Sequence, residues 1–247
     1  MLITKELENL TKYYNFANEQ YTPFYCGLYG SQNYLIATDN SDTDSKILIV
    51  PSLKDAVLKK EVISKEYEKD TGKILVQDIR KSFDSMLKMN INFLEILYTD
   101  YWVANPLFLN EVYYLRENAD LIANSNPLRL LQCTFGMAHT TKKKELNGKR
   151  VSTIYRSLVF AKNYLQTNSF YDSLFMTGEE RELALEYKTK AHNYNELLVK
   201  SFEYMKELQQ ILDTAKSIYK NEKDNNAKEF LDDLAFSIIK KGDKLIG

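Results

Sequence analysis

Glycine and proline are scarce, 8 and 4 in 247 residues, which excludes long flexible or polyproline linkers. The cysteines, Cys26 and Cys133, are too few for a disulfide framework. His139 and His192 are the only histidines, and neither has partners at metal-ligand spacing, so no zinc pattern exists. Charge of one sign is also missing: Lys and Arg number 33 against 34 Asp and Glu, so no bulk field drives nonspecific binding to nucleic acid. No apolar run approaches the roughly 20 residues of a membrane span. The opening Met1 to Glu8 is charged and has no long apolar stretch, so the expected location is the cytoplasm.

What is present is a hydrophobic content of 44%, ample for a sizeable core in one or two domains. Helical spacing runs over residues 3 to 18, with Leu7, Leu10, Tyr14 and Phe16 near one face. Strands are expected near 22 to 29, 44 to 50, 61 to 68 and 73 to 79, followed by a helix over 80 to 90. From Pro106 onward strand alternation disappears, and helices are expected near 106 to 118, 126 to 138, 150 to 166, 177 to 219 with a break, and 226 to 241. The pattern predicts an α+β chain: a mixed sheet with flanking helices over 1–105, then an all-helical domain over 106–247 that completes a cleft. Leu198, Phe202, Met205, Leu208 and Leu212 recur at spacings of three and four and read as a core stripe.

Chemistry concentrates between two apolar runs. Phe24 to Tyr29 leads into Gly30-Ser31, and after ten residues Asp42-Thr43-Asp44 leads into Ile47 to Val50. Glycine lets backbone approach a ligand closely, and Ser31 can donate from amide and hydroxyl. A helix starting at Ser31 would add a terminus that favours anions. Aspartates two apart on a strand share a face, so Asp42 and Asp44 would converge, Thr43 would point away, and Lys46 would lie further along. A pair of carboxylates suits Mg²⁺, which usually takes one or two and completes its octahedron with phosphates and water. The pattern therefore points to a triphosphate handled with divalent metal.

Apolar strand, Gly30-Ser31, ten residues and Asp42-Thr43-Asp44 together resemble the DNA polymerase β-type nucleotidyltransferase superfamily. Within it, the chain is similar to predicted nucleotidyltransferases of bacteria and their phages, also through Lys88-Met89-Asn90-Ile91-Asn92-Phe93-Leu94-Glu95. The likeness covers residues 20 to 100. It implies a nucleotidyltransferase-like fold, Mg²⁺ (or Mn²⁺), a nucleoside triphosphate partner, a hydroxyl acceptor of unspecified kind, and the cytoplasm of a bacterium or phage-infected cell. It also implies a third acidic residue on a later strand. Asp78 is the choice, at the end of the second arm of a hairpin turning at Asp70-Thr71-Gly72; Glu66 and Asp84 compete, and Asp78 equally suits capping the helix that begins near Arg80. Asp42, Asp44 and Asp78 would then be both metal ligands and catalytic groups, with Gly30, Ser31 and Lys46 on the triphosphate.

The resembling family carries a lysine, a histidine and an arginine three residues later on a helix facing the cleft. Arg156 fits the arginine, as a phosphate clamp, but Thr153 stands where histidine would be. Lys142 to Arg150 is the one dense basic stretch, either a solvated loop or a contact for RNA phosphates or the triphosphate tail. Three functions are thus carried forward: nucleotidyl transfer to a hydroxyl, a catalytically inactive nucleotide-binding or regulatory module, and an RNA-end repair factor.

Overall fold

The computed structural model describes residues 4–60, 62–219 and 225–246, with side chains described to 243. Its elements are α1 (Lys5–Asn18), β1 (Thr22–Leu28), β2 (Ser45–Val50), α2 (Leu53–Val57), β3 (Ser64–Lys69), β4 (Gly72–Asp78), α3 (Ile79–Leu87), α4 (Ile91–Leu94) and β5 (Trp102–Ala104). Then come α5 (Leu109–Glu117), α6 (Ala119–Ala123), α7 (Pro127–Lys142), α8 (Gly148–Thr167), α9 (Phe170–Leu174), α10 (Gly178–Thr189), α11 (Tyr194–Ile218) and α12 (Asn225–Ile246). The α+β expectation holds, and the expected strands and helices all form. Residues 3 and 61, at the margins of an expected helix and strand, lie outside the described residues.

The sheet has the order β3-β4-β2-β1-β5, with β2 and β4 parallel and the other pairs antiparallel. β5 escaped the sequence reading because three residues are too short to show alternation; it pairs with Tyr25 to Gly27 at the edge of the sheet. One face carries Cys26, Leu28, Ile47, Ile49, Ile74 and Val76, packed under Leu10, Tyr13 and Ala17 of α1. The buried face of α1 therefore turns slightly from the one expected, leaving Leu7, Tyr14 and Phe16 at its margins. Burying side chains of this size stabilises by about 1.5–3 kcal/mol each.

By its internal contacts the chain divides into two compact units. The first comprises residues 1–30, 40–122 and 224–247, the second residues 31–39 and 123–223. This division differs from the expected boundary at 105 and 106, because α5 and α12 pack with the sheet's unit: α12 lies against α2, α3, α5 and β2. In the second unit α8 packs against α7, α9, α10 and α11. The core stripe of α11 runs through Leu197, Ser201, Tyr204, Met205, Leu208 and Leu212. Phe202, expected within that stripe, sits beside it and is 57% exposed, because the buried face centres one residue to either side. Among the described residues no helix is long and apolar enough to cross a membrane.

Candidate functional site

β1 and β2 end together. Leu28 pairs with Ser45, and the Tyr29 N–H donates to the Asp44 carbonyl at 3.0 Å, so Gly30 is the first residue beyond the pairing, next to Asp44. Gly30 has φ 101°, a conformation that strains any residue with a Cβ, and no atom lies within 4 Å of where a Cβ would stand. Its N–H donates to Glu95 Oε2 at 3.2 Å. Glu95 is fully buried and begins a short turn after α4, so the segment 88–95 folds back onto the Gly30 end of the sheet. No helix starts at Ser31. Residues 31–35 are successive turns, closed by Ile36 N–H to the Ser31 carbonyl at 3.0 Å, so the expected helix terminus is not formed.

Thr43, between the two aspartates, is locked on the α1 side. Its N–H donates to the Thr71 carbonyl at 2.7 Å, and its hydroxyl accepts from Asn9 Nδ2 at 3.1 Å. Gly72, at φ 150°, lies so close that a Cβ there would overlap the Thr43 backbone. Thr43 thus points toward α1, as alternation requires, while Asp44 is half-buried on the Lys46 side and Asp42 is exposed ahead of β2. Asp44 Oδ1 accepts the Lys73 N–H at 2.9 Å. Gly72 read from sequence only as a turn residue; its close approach to Thr43 is a tertiary fact.

Lys46 follows on the Asp44 face but is 4% exposed. Its ammonium lies 3.9 Å from the Tyr29 ring centroid and 4.4 Å from that of Phe93, a cation between two aromatic faces. Burial pushes its pKa down to about 8, against the opposing pull of Glu95, Asp44 and Glu66. The Tyr29 hydroxyl is pushed up, first by burial and then by Asp44, Glu95 and Glu66. Asp44, Glu95 and Glu66 are thus the carboxylates whose charge is felt at both Lys46 and Tyr29. Sheet register explains Glu66: Lys46 pairs with Leu75, and Leu75 with Glu66, so all three project from one face. Lys73 Nζ reaches Glu66 at 3.2 Å and Glu68 at 3.0 Å, giving that face alternating signs.

Asp78 does not join this group, which corrects the expected triad. Parallel pairing sets Asp78 opposite Ile49, five residues along β2 from Asp44 and on the order of 16 Å away at about 3.3 Å per residue. Only an antiparallel β4 could have returned its last residue to the first residue of β2. Asp78 instead caps α3, accepting the Arg80 N–H at 2.9 Å, and grips the Arg80 guanidinium, with Nη2 to Oδ2 at 2.6 Å. It is 2% exposed. Asp84 pairs with Lys88 at 2.6 Å on the exposed side of α3. Among the described residues no three Asp, Glu, His or Cys side chains stand together ready to hold a metal ion.

Within the second unit, Arg156 of α8 stacks its guanidinium 3.8 Å from the Tyr34 ring centroid, with Nη2 3.9 Å from Met137 Sδ. Arg181 Nε and Lys188 Nζ donate to the carbonyls of Leu35 and Ile36 at 2.6 and 2.7 Å. Three cations therefore brace the segment that follows Ser31. Thr153, in the position of the family histidine, returns its hydroxyl to the Lys149 carbonyl at 3.0 Å.

No protein-family model and no curated protein matches this chain. Among solved structures it is similar to a nucleotidyltransferase-like protein from Exiguobacterium sibiricum, at 12% identity, over 86% of this chain and 76% of that one, with a TM-score of 0.31.

Proposed function

We propose that this chain is a nucleotidyltransferase moving a nucleoside monophosphate from a triphosphate to a hydroxyl acceptor, with Glu66 rather than Asp78 as the third carboxylate. The observation that carries the reading is the shared end of β1 and β2, where a positive-φ glycine with open space beside it adjoins Asp44. Asp42 and Asp44 would hold Mg²⁺ (or Mn²⁺), since two hard oxygens suffice for a cation whose remaining positions go to phosphate and water. When bound, that cation neutralises triphosphate charge and makes the attacking hydroxyl more acidic. The amide and hydroxyl of Ser31 receive phosphate oxygens, beyond the turn at Gly30 whose own N–H is held by Glu95. Glu66 accepts the acceptor's proton as its oxygen bonds the α-phosphorus and the bond to the leaving pyrophosphate breaks. Lys46 holds Asp44, Glu66 and Glu95 close despite their like charge, with Phe93 and Tyr29 keeping water from it. Arg156 positions Tyr34 and with it the turn after Ser31.

A second reading has its own support. Asp78 is committed to Arg80, and Lys46 and Lys73 stand among the carboxylates, an arrangement that also suits a module that binds nucleotide without transferring it. Incubation with each α-labelled triphosphate, Mg²⁺ and cell extract, alongside calorimetry of triphosphate binding, separates the two. Transfer that is lost in Asp44→Asn and Glu66→Gln but kept in Asp78→Asn supports the enzyme. Binding without transfer leaves the module, and absence of both removes the nucleotide reading.

A further inference from the structure

Several lysines of this chain pair with neighbouring carboxylates. In the second unit Lys162 pairs with Glu207, Lys190 with Glu186, Lys200 with Glu203 and Lys216 with Asp213, at 2.7–3.2 Å. The stretch 142–150 differs in composition. It carries five cations against the single carboxylate of Glu145, and among the described residues Lys142, Lys143 and Lys144 form no ion pair. Two further cations, Lys149 and Arg150, occupy the first turn of α8, which contains no acidic residue. A helix N-terminus favours negative charge, so cations there raise the local positive potential rather than relieve it. The turn is held in shape: Arg150 donates to the Glu145 carbonyl, and Gly148 lies so close to the Tyr187 carbonyl that no Cβ would fit.

Rings accompany this charge, Phe202 and His139 exposed and Phe135 half-buried. Lys142 Nζ sits 3.3 Å from the ring centroid of Phe202, the aromatic that α11 leaves 57% exposed. Phe135 and His139 stack in parallel on α7, with centroids 5.9 Å apart and planes at 13°. Phe135, His139 and Lys142 follow at spacings of four and three, hence on one face of α7. That stripe is about 10 Å long at 1.5 Å per residue. It matches about three bases at 3.4 Å spacing. Flat rings beside cations are what a single strand needs, because every base has a face to stack and every nucleotide a phosphate to neutralise. No periodicity in the sequence brings Phe202 to Lys142; the packing of α7 on α11 does.

We propose that this face of the second unit binds single-stranded nucleic acid, with bases on Phe202 and on the Phe135 and His139 pair, and phosphates on Lys142 to Lys144, Lys149 and Arg150. The proposal is independent of the nucleotidyl-transfer reading.

The test is fluorescence anisotropy of the full chain with a labelled single-stranded RNA of about ten nucleotides, a typical length for such sites. The same measurement is made with the matching duplex, with heparin and with phosphatidylserine vesicles. With four to five phosphates neutralised, log affinity falls against log salt with a slope of about −3, so a fourfold rise in salt weakens binding about 60-fold. Replacing Lys142, Lys143 and Lys144 together by alanine lowers the slope by about 2 in magnitude. Phe202→Ala weakens the single strand at least about fivefold and leaves heparin binding unchanged. Both variants carry surface changes, and an unchanged melting temperature confirms that they are folded. Absence of binding at low salt overturns the proposal. So does equal affinity for strand, duplex and heparin with no effect of Phe202→Ala, or a preference for the vesicles.

Discussion

The two ends of β2 hold carboxylates of similar sequence appearance and opposite circumstance. At the first end Asp42 is exposed, Asp44 is half-buried, and Glu66 stands on the same face beside lysines and an open glycine. At the other end Asp78 is buried, capping a helix and gripping an arginine. A carboxylate surrounded by donors from its own chain is already satisfied, whereas one facing other carboxylates gains from a cation. On the proposed reading, chemistry belongs to the first end, while Asp78 serves stability at the second.

The largest expected effect separates the ends outright. Asp44→Asn should lower Mg²⁺-dependent transfer by about 100-fold or more, as loss of several kcal/mol of charge stabilisation implies. Asp78→Asn should leave it within a few-fold, measured by label transfer at saturating triphosphate. Divalent ion should also raise the melting temperature of wild type more than that of Asp42→Asn or Asp44→Asn. Equal shifts in all three proteins would dissolve the contrast.

Stability should show the reverse. Asp78→Ala strands Arg80 and removes a helix cap, costing about 3 kcal/mol in urea unfolding. Gly72→Ala should cost about 2 kcal/mol or more through its forced φ and its overlap with Thr43. It would also displace Asp42 and Asp44, so transfer falls with it.

Lys46 sharpens the comparison through pH. Its folded pKa of about 8 lies below the ordinary 10.5, so between these values the unfolded chain holds the proton that the folded chain has released. Stability contributed by this group therefore rises with pH in that window. Wild type should gain on Lys46→Met by up to about 1.4 kcal/mol per pH unit above pH 8, read from parallel denaturation curves. A constant difference from pH 7 to 10 would mean that the ammonium is better hydrated than its burial implies.

The smallest expected effect is at Ser31. Replacing it by alanine should raise KM for the triphosphate about threefold to tenfold, the net worth of one ordinary hydrogen bond in a site open to water, with metal-dependent stabilisation unchanged. Unchanged kinetics would assign the cradle to backbone alone.

Much of this was legible beforehand because it is local. The hairpin at Asp70 and Thr71, the helices after Pro106 and the alternation that turns Thr43 from its neighbours follow from turn chemistry and periodicity within a few residues. Which of its two readings Asp78 follows, metal ligand or helix cap, was not, since a carboxylate at the end of a strand looks alike whether the neighbouring strand runs with it or against it. Glu66 was visible as a competitor, yet only the register through Leu75 sets it on the Lys46 face. Phe202 sat within an apolar stripe whose centre periodicity locates only to within a residue, enough to misjudge one exposed ring.

By itself, the sequence determined the α+β class, the order and type of nearly every element, and the pairing of a Gly-Ser turn with two aspartates, since these depend on neighbours along the chain. Tertiary structure decided which charges meet. Parallel pairing of β2 with β4 sent Asp78 to the far end of the sheet, the return of segment 88–95 set Phe93 against Lys46 and Glu95 against Gly30, and α11 brought Phe202 under Lys142. Contacts between residues tens of positions apart depend on strand direction and helix packing, and neither leaves a periodic trace in the residues that come to touch.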